Sequence, residues 1–337
     1  MSIAMAYITV ILVWTTTPLG VTWSSESIHP TVSALVRMTI AAMLGWCLLR
    51  AMGKSLEWSK PAIKKYLYAD IGIALSMYTT YHAAGLIPSG LISVLYGLSP
   101  IFSAMFALWI LKDPMPVYRW IASVISLVGL VVIFGTDITW GEDTVKGIGL
   151  LLLSVTLFSL SGVLIKQSEH RNGHLEQTVG ALVCSVPIYL VILLIELAGM
   201  SYETSVREVI NQAVAGASLV SDRSIGAVIY LAIMGSLVGF MCYFHILSVL
   251  KPSTVALVTL VTPVLALMLG VVFNGEVVTQ QVWIGTFVIL SGLILFNWGE
   301  RLFNGLALII ELFCRSRAAI PSEDIASEMT SVSVSER

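Results

Sequence analysis

Apolar residues fill this chain in long unbroken runs, separated by short polar punctuation. The runs do not alternate with period two, so they read as helices and not as the strands of a barrel. A bilayer core of about 30 Å needs about 20 apolar residues of helix. Ten stretches meet that need: 3–22, 31–51, 66–86, 90–111, 118–136, 147–166, 177–199, 225–248, 253–273 and 281–299. Pro88-Ser89-Gly90 and Lys251-Pro252-Ser253 join their flanking runs so closely that both pairs must be antiparallel hairpins. Residues 200–224 form a longer loop, with a short surface helix expected around Val206–Val214. Residues 303–314 are apolar but too short to cross, and suit the membrane interface. The tail 315–337, rich in Ser and Glu, reads as disordered.

Composition agrees. Hydrophobic residues make up 57% of the chain and charged residues 11%, with a mean hydropathy of +0.91. A water-facing surface needs about 25% charged residues, so soluble enzymes, nucleic-acid binders and disordered proteins are excluded. The net charge of −2 points to no particular partner, and no nucleic acid is expected. The start, MSIAMAYITV, lacks a basic region before its apolar run, so the first run is expected to remain as a span and not to be cleaved. Cys47, Cys184, Cys242 and Cys314 form no CxxC pair and read as free thiols, with no metal and no cofactor implied.

Lysine and arginine set the orientation. With the N-terminus inside, fourteen of them, from Arg50 to Arg337, fall in inner loops and the tail. Only Lys146, Arg207 and Arg223 fall outside, and Arg37 lies within a span. Both termini are therefore expected in the cytoplasm, with the chain in the cytoplasmic (inner) membrane. Trp23, Trp58, Trp120, Trp140, Trp283 and Trp298 sit near expected helix ends, where an aromatic belt belongs.

The chain also resembles itself. A shift of 163 residues carries His82 onto His245, Pro100 onto Pro263, Met105 onto Met268 and Trp120 onto Trp283. Gly129 then meets Gly292, and Asp113 meets Glu276. The rare residue types give this register its weight. Each copy holds five spans, an odd number, so the second enters the membrane upside down. The expected fold is an all-α polytopic membrane protein of ten transmembrane helices in two inverted five-helix repeats. The first repeat covers 3–136, the second 147–299, and residues 300–337 form a cytoplasmic tail.

The stretches PIFSAMFALWILKDPMPVYRWIASVISLVGLVVIFG and TPVLALMLGVVFNGEVVTQQVWIGTFVILSGLILF resemble the two copies of the EamA domain of the drug/metabolite transporter superfamily. Pro263, Glu276, Gly285 and Gly292 match that pattern, whereas Asp113 and Ala122 depart from it in the first copy. Pro30 with Arg37, and Trp14-Thr15, resemble its first two helices. The resemblance implies a transporter, with a small-molecule substrate and the lipid bilayer as partners. It leaves the substrate open among amino acids, other metabolites and toxic organics.

Paired helix-breaking residues at matching places in two halves point to a site near the midplane. Pro100 and Pro263 are such a pair, although a kink that only shapes packing accounts for them too. Ser89, Ser93, Tyr96, Pro100 and Ser103 share one helical stripe, with Ser99 beside it, and Thr259 lies on the equivalent stripe of helix nine. Small residues there also serve close helix packing, a role for which Tyr96 is too large. Tyr78, Tyr81 and His82 on helix three, and Tyr243 and His245 on helix eight, offer hydrogen bonds from apolar walls. His82 and His245 are candidate proton sites, or structural histidines bonded to the backbone. Trp14 and Thr17 lie within helix one, and threonines can also satisfy themselves on their own helix. Arg37 either attracts an anionic or zwitterionic solute, or snorkels outward, or forms a fixed pair with an outer-loop carboxylate such as Glu26. Asp70 and Glu196 read as solvated carboxylates near helix ends, and Asp113 and Glu276 as capping residues. Small residues on helices five and ten allow close packing within the chain or a homodimer.

The substrate-binding set is thus Trp14, Thr17, Arg37, Tyr78, Tyr81, His82, Tyr96, Ser99, Tyr243 and Thr259. The expected function is a secondary transporter moving a small organic metabolite by alternating access. An amino acid or related compound is favoured, and export is favoured. A multidrug or toxic-organic exporter is the alternative, followed by a channel or a non-transporting sensor. An enzyme is not expected, because no HExxH, GxSxG or paired intramembrane aspartates occur.

Overall fold

A computed structural model describes residues 2–134, 141–168, 170, 172–199, 220–249 and 258–318. The described residues are helical nearly throughout, as a chain in lipid must be to satisfy its backbone. In chain order the helices are α1 (Ile3–Ser24), α2 (Pro30–Ala51), α3 (Lys60–Asp70), α4 (Ser76–Ala84), α5 (Ser89–Tyr96), α6 (Ser99–Phe106) and α7 (Val117–Phe134). They continue as α8 (Glu142–Gln167), α9 (His174–Gly199), α10 (Asp222–Tyr230), α11 (Gly239–Val249), α12 (Val258–Asn274) and α13 (Gln280–Ala318). π-Helical turns at Ile71–Leu75 and Leu231–Val238 join α3 to α4 and α10 to α11, and a third follows α6 at Ala107–Leu111.

Local chemistry sets the helix starts. Ser2, Ser59 and Ser221 accept backbone N–H bonds as N-caps of α1, α3 and α10. Pro30 opens α2, where its missing N–H costs nothing. The Ser59 cap starts the third helix at Lys60, earlier than residue 66, where the apolar run begins.

Among the described residues, seven helices are long and apolar enough to cross a membrane, and Val117–Ile133 and Val261–Asn274 are shorter apolar helices. Ten were expected from the apolar runs. The third expected span is the stretch Lys60–Ala84, in which lysines, Asp70 and a π-turn interrupt the apolar pattern. The apolar helix near the end also runs on. The sequence separates a span at 281–299 from an interfacial segment at 303–314, whereas α13 is one helix of 39 residues. The expected surface helix at 206–214, the hairpin at 251–253 and residues 319–337 lie outside the described residues.

Helix pairing is reciprocal about the shift of 163 residues. α2 packs on α9, α5 on α12, and α7 on α13. α1 packs on α12 as α6 packs on α8, and α2 packs on the π-turn Leu231–Val238 as α9 packs on α3. The turns after α6 and α12 also match. Lys112 and Gly275 both take left-handed backbone, with φ of 55° and 62°. In each turn the next N–H reaches back six residues, Asp113 to the Ala107 carbonyl at 3.2 Å and Glu276 to the Gly270 carbonyl at 3.1 Å. Left-handed backbone is natural for Gly275 and uncommon for a lysine.

Glu276 does more than close its turn. Its Oε1 accepts from the Ser89 N–H at 3.0 Å and from Asn274 at 2.9 Å, and its Oε2 from the Gly90 N–H at 3.3 Å. The carboxylate therefore neutralises free donors at the start of α5, a favourable place for negative charge.

The small residues of helices five and ten are used within the chain. A Cβ on Gly285 would sit 2.6 Å from the Gly129 carbonyl, and one on Gly292 would sit 2.8 Å from the Ala122 carbonyl. These faces are covered by each other, so they are not free for a second copy. A homodimer would have to use the outer faces, which carry residues such as Val128, Val131 and Phe287.

Two predictions follow from this packing. Gly285→Val should lower the unfolding midpoint of the purified protein in detergent, at a cost of about 1–3 kcal/mol. The exposed Phe287→Leu should leave the midpoint nearly unchanged, and equal losses for both would rule out the glycine seam as the sensitive contact. Glu276→Gln keeps the shape but loses the charged acceptor, and should cost about 1–3 kcal/mol in the same measurement.

Candidate substrate cavity

Between the helices lies a cavity of about 80 Å³. One water needs about 10–15 Å³ on this measure, so the space suits a few waters or part of a small solute. Its walls come from both halves. Trp14, Thr17, Arg37, Thr80, Tyr96 and Ser99 contribute from one, and Phe158, Gly235, Phe240 and Thr262 from the other.

The aromatic wall mixes tilted and edge-to-face contacts, Trp14 being tilted against Tyr243, and Phe158 edge to face with Trp14 and Tyr96. Trp14 meets Tyr243 at 5.0 Å and Phe158 at 6.0 Å between ring centres, and Tyr96 meets Phe158 at 5.7 Å. Pro18 lies in α1 one turn beyond Trp14 and lines the same space. Thr17 turns its hydroxyl back to the Val13 carbonyl at 2.6 Å, leaving its methyl as the freer group.

Three hydroxyls fix the Tyr96 ring. Its OH lies 2.7 Å from Ser154, 2.9 Å from Thr80 and 3.0 Å from Ser76. Ser154 also donates to the Ser76 carbonyl at 2.7 Å. The helix carrying Tyr96 is interrupted at Gly97-Leu98, just before Pro100, and the Ser99 carbonyl accepts from Ser159 at 3.1 Å. Pro263, by contrast, lies inside a continuous α12.

Arg37 supplies the charge. It is 1% exposed, so it does not snorkel. Nε donates to Ser236 at 2.8 Å, Nη1 donates to the Tyr81 hydroxyl at 3.3 Å, and the guanidinium lies 5.9 Å from the centre of the Tyr81 ring. Gly235 makes room, since a Cβ there would come within 3.1 Å of Nη2. The pairing with Glu26 does not form, because Glu26 bonds Arg223. Among the described residues no carboxylate forms an ion pair with Arg37. A buried guanidinium with five donors, few of them used, is a ready carboxylate receptor.

The remaining candidates separate from the cavity. Tyr81 is fully buried behind Arg37 and acts on it, not on the open space. Tyr78 donates to Glu196 at 2.9 Å, and His82 lies 3.1 Å from Thr31 and 3.4 Å from Glu196, in a polar cluster of their own. Glu196 is thus engaged by protein groups and is not simply a solvated carboxylate. His245 meets His174 edge to face, 5.2 Å between ring centres. Tyr243 backs the aromatic wall. The Thr259 side chain lies outside the described residues. Asp70 is 2% exposed, which corrects its reading as a solvated interface carboxylate. Phe158, Gly235 and Phe240 went unnoticed in the sequence, because nothing in an apolar run marks which residues turn inward.

A family model described as the EamA-like transporter family matches residues 1–135 and 145–298. The uncharacterized inner membrane transporter YedA of Escherichia coli (strain K12) is 23% identical over 87% of this chain and 89% of its own. The uncharacterized transporter YdfC of Bacillus subtilis (strain 168) is 25% identical over 83% and 85%. Protein PecM of Dickeya dadantii (strain 3937) is 23% identical over 84% and 88%. A solved structure known only as a crystal structure of a protein shares the fold, with a TM-score of 0.60 at 16% identity over 88% of this chain and 97% of that one.

The hydroxyl knot predicts a graded response at Tyr96. Tyr96→Phe loses one hydroxyl from a set that can re-pair, and should cost about 1 kcal/mol. Tyr96→Ala empties the wall and should cost about 3–5 kcal/mol. Unfolding midpoints in detergent report both, and equal losses would rule out the ring as the structural element.

Proposed function

We propose, on the premise that the chain belongs to the EamA-like transporter family, that it is a secondary transporter carrying a small organic carboxylate through the Arg37 cavity. An amino acid or related compound is the favoured cargo. Membership of that family makes the protein a multi-pass membrane transporter and not an enzyme. The observation that carries the finer reading is Arg37, a buried cation with no carboxylate partner among the described residues, at the wall of a mostly apolar cavity. A solute carboxylate would complete its bonding, and an apolar or aromatic body would meet Trp14, Phe158 and Phe240. Cationic organics find no counter-charge among the lining residues, which weighs against a general drug exporter.

We take the architecture as two inverted five-helix repeats, 3–136 and 147–299, with both termini in the cytoplasm. The reciprocal helix pairing, the matched turns at Lys112 and Gly275 and the paired π-turns support that reading. Alternating access then follows from walls supplied by both halves. At one end Lys54 bonds Glu176 at 2.8 Å and His170 lies 3.1 Å from Glu57. The Glu57 carboxyl, in a loop, is held below its usual range chiefly by the Ser59 hydroxyl, so it stays ionised. At the other end Glu26 bonds Arg223, Ser27 donates to Ser224 at 2.9 Å, and Trp23 donates to Asn274 at 2.9 Å. Exposed pairs of this kind contribute about 0–1 kcal/mol each, so either set can break in a cycle. Export remains the favoured direction.

Two experiments test this. A thermal-shift panel of carboxylates, their methyl esters and cationic aromatics should show stabilisation by carboxylates alone. A ligand at 100 times its Kd adds about 2.7 kcal/mol, and Arg37→Gln should abolish the shift. Stabilisation by esters or cations to the same degree would overturn the carboxylate reading. For topology, Asp113→Cys and Val277→Cys in a background lacking native cysteines should react with a membrane-impermeant thiol reagent from opposite sides. Reaction from the same side would overturn the inverted repeat.

A further inference from the structure

We infer that Asp70 is a proton-binding site whose bound proton holds α3 packed against α8 and α9. Asp70 ends α3, immediately before the π-turn Ile71–Leu75, and is 2% exposed. Neither carboxyl oxygen meets a hydrogen-bond donor among the described residues. The neighbouring backbone is otherwise well served. Ser161 of α8 donates to the carbonyls of Tyr68 and Ala69 at 2.7 and 3.4 Å, and Tyr189 of α9 donates to the Ala74 carbonyl at 2.9 Å. Donors from both helices thus go to carbonyls around the turn, and none goes to the carboxyl between them.

Ionisable neighbours do not compensate. On α9 the Cys184 thiol and the Tyr189 hydroxyl lie within electrostatic reach of Asp70, and both are neutral or acidic groups. On α8 the facing polar group is the Ser161 hydroxyl, and the π-turn Ile71–Leu75 carries no ionisable side chain. Lys65, on α3 itself, donates to the His170 carbonyl at 2.6 Å.

A carboxylate in this place would be a buried charge with neither partner nor donor, which is strongly disfavoured. The neutral acid is tolerated, so the packed arrangement holds the proton on the carboxyl. Losing that proton to water leaves a carboxylate that must be hydrated, and hydration requires α3 to part from α8 and α9. Proton binding and packing are therefore linked: the packed form is favoured at low pH and lost as pH rises. The site also touches the transport path. Ala69 of α3 and Gly72 and Ile73 of the turn line a small cleft with Tyr243, Phe158 and Phe240, and both Phe158 and Phe240 are also walls of the central cavity. A shift of the Asp70 turn is thereby passed to the cavity through these two shared rings.

Hydrogen exchange on the purified full-length protein tests this without any solute, so its result is independent of the substrate reading. After correction for intrinsic exchange, segment 60–84 should open more readily as pH rises above the ordinary carboxylate range, by up to about tenfold per pH unit. Asp70→Asn, which mimics the neutral acid, should stay protected and flat with pH. A wild-type response that is absent, or one that Asp70→Asn shares, would overturn the proposal. Should Asp70→Asn fail to fold, infrared spectroscopy of the otherwise native protein decides. An un-ionised carboxylic-acid band that survives Glu196→Gln and fades as the segment opens supports the site, and the lack of such a band overturns it.

Discussion

Every polar group this chain buries must find its partner inside the chain, because lipid offers none. That constraint explains features that look unrelated. The Tyr96 hydroxyl is held by Ser76, Thr80 and Ser154. Carbonyls beside an irregular turn are met by Ser161 and Tyr189 from neighbouring helices. Donors at the start of α5 are met by the carboxylate of Glu276, which lies far away in sequence. Each bond joins helices that hydrophobic burial alone would let slide, since packing against lipid and packing against another helix differ little in apolar character.

Buried hydroxyls such as those of Thr15, Ser33 and Tyr66 also lack a partner among the described residues, but two ionisable groups stand out against that background. Arg37 retains donors beyond those given to Ser236 and Tyr81, and it lies at the cavity wall. Asp70 has no donor among the described residues, and it lies at a joint between helices. An unfilled bonding capacity beside open space implies a solute, and one sealed within packing implies a proton. The two residues have opposite formal charges but do not bond each other, so neither cancels the other's demand.

Much of this was legible in the chain. Apolar runs predicted where most helices lie, and the in-register His, Pro and Trp predicted a correspondence that the matched turns at Lys112 and Gly275 echo in backbone geometry. Trp14, Thr17, Arg37, Tyr96 and Ser99 do come together at one cavity. Tyr78, Tyr81 and His82 do not join its lining, because three residues so close on one helix face different neighbours. Tyr81 points behind Arg37, while Tyr78 and His82 turn to Glu196. Sequence position fixes the face of a helix but not what the face meets. For the same reason Asp70 read as a surface carboxylate: hydropathy near a helix end says nothing of the helices packed around it.

The glycine seam constrains how such a molecule can move. α7 and α13 approach so closely that backbone carbonyls stand where side chains would begin, and a slide along the seam would drive carbonyls and side chains into one another. Neither helix lines the central cavity. The pair therefore acts as a fixed rail on which the two halves meet, and the rearrangement proposed for transport falls to the helices around Arg37 and Phe158. Those are also the helices with interruptions: the break at Gly97-Leu98, Pro18 in α1, and the π-turns after α3 and α10. Rigidity and compliance are thus divided by sequence, with small residues concentrated in the seam and irregular backbone placed beside the cavity. Asp70 sits where a compliant turn meets two straight helices, a position from which the loss of a single proton can reach the cavity proposed for the cargo.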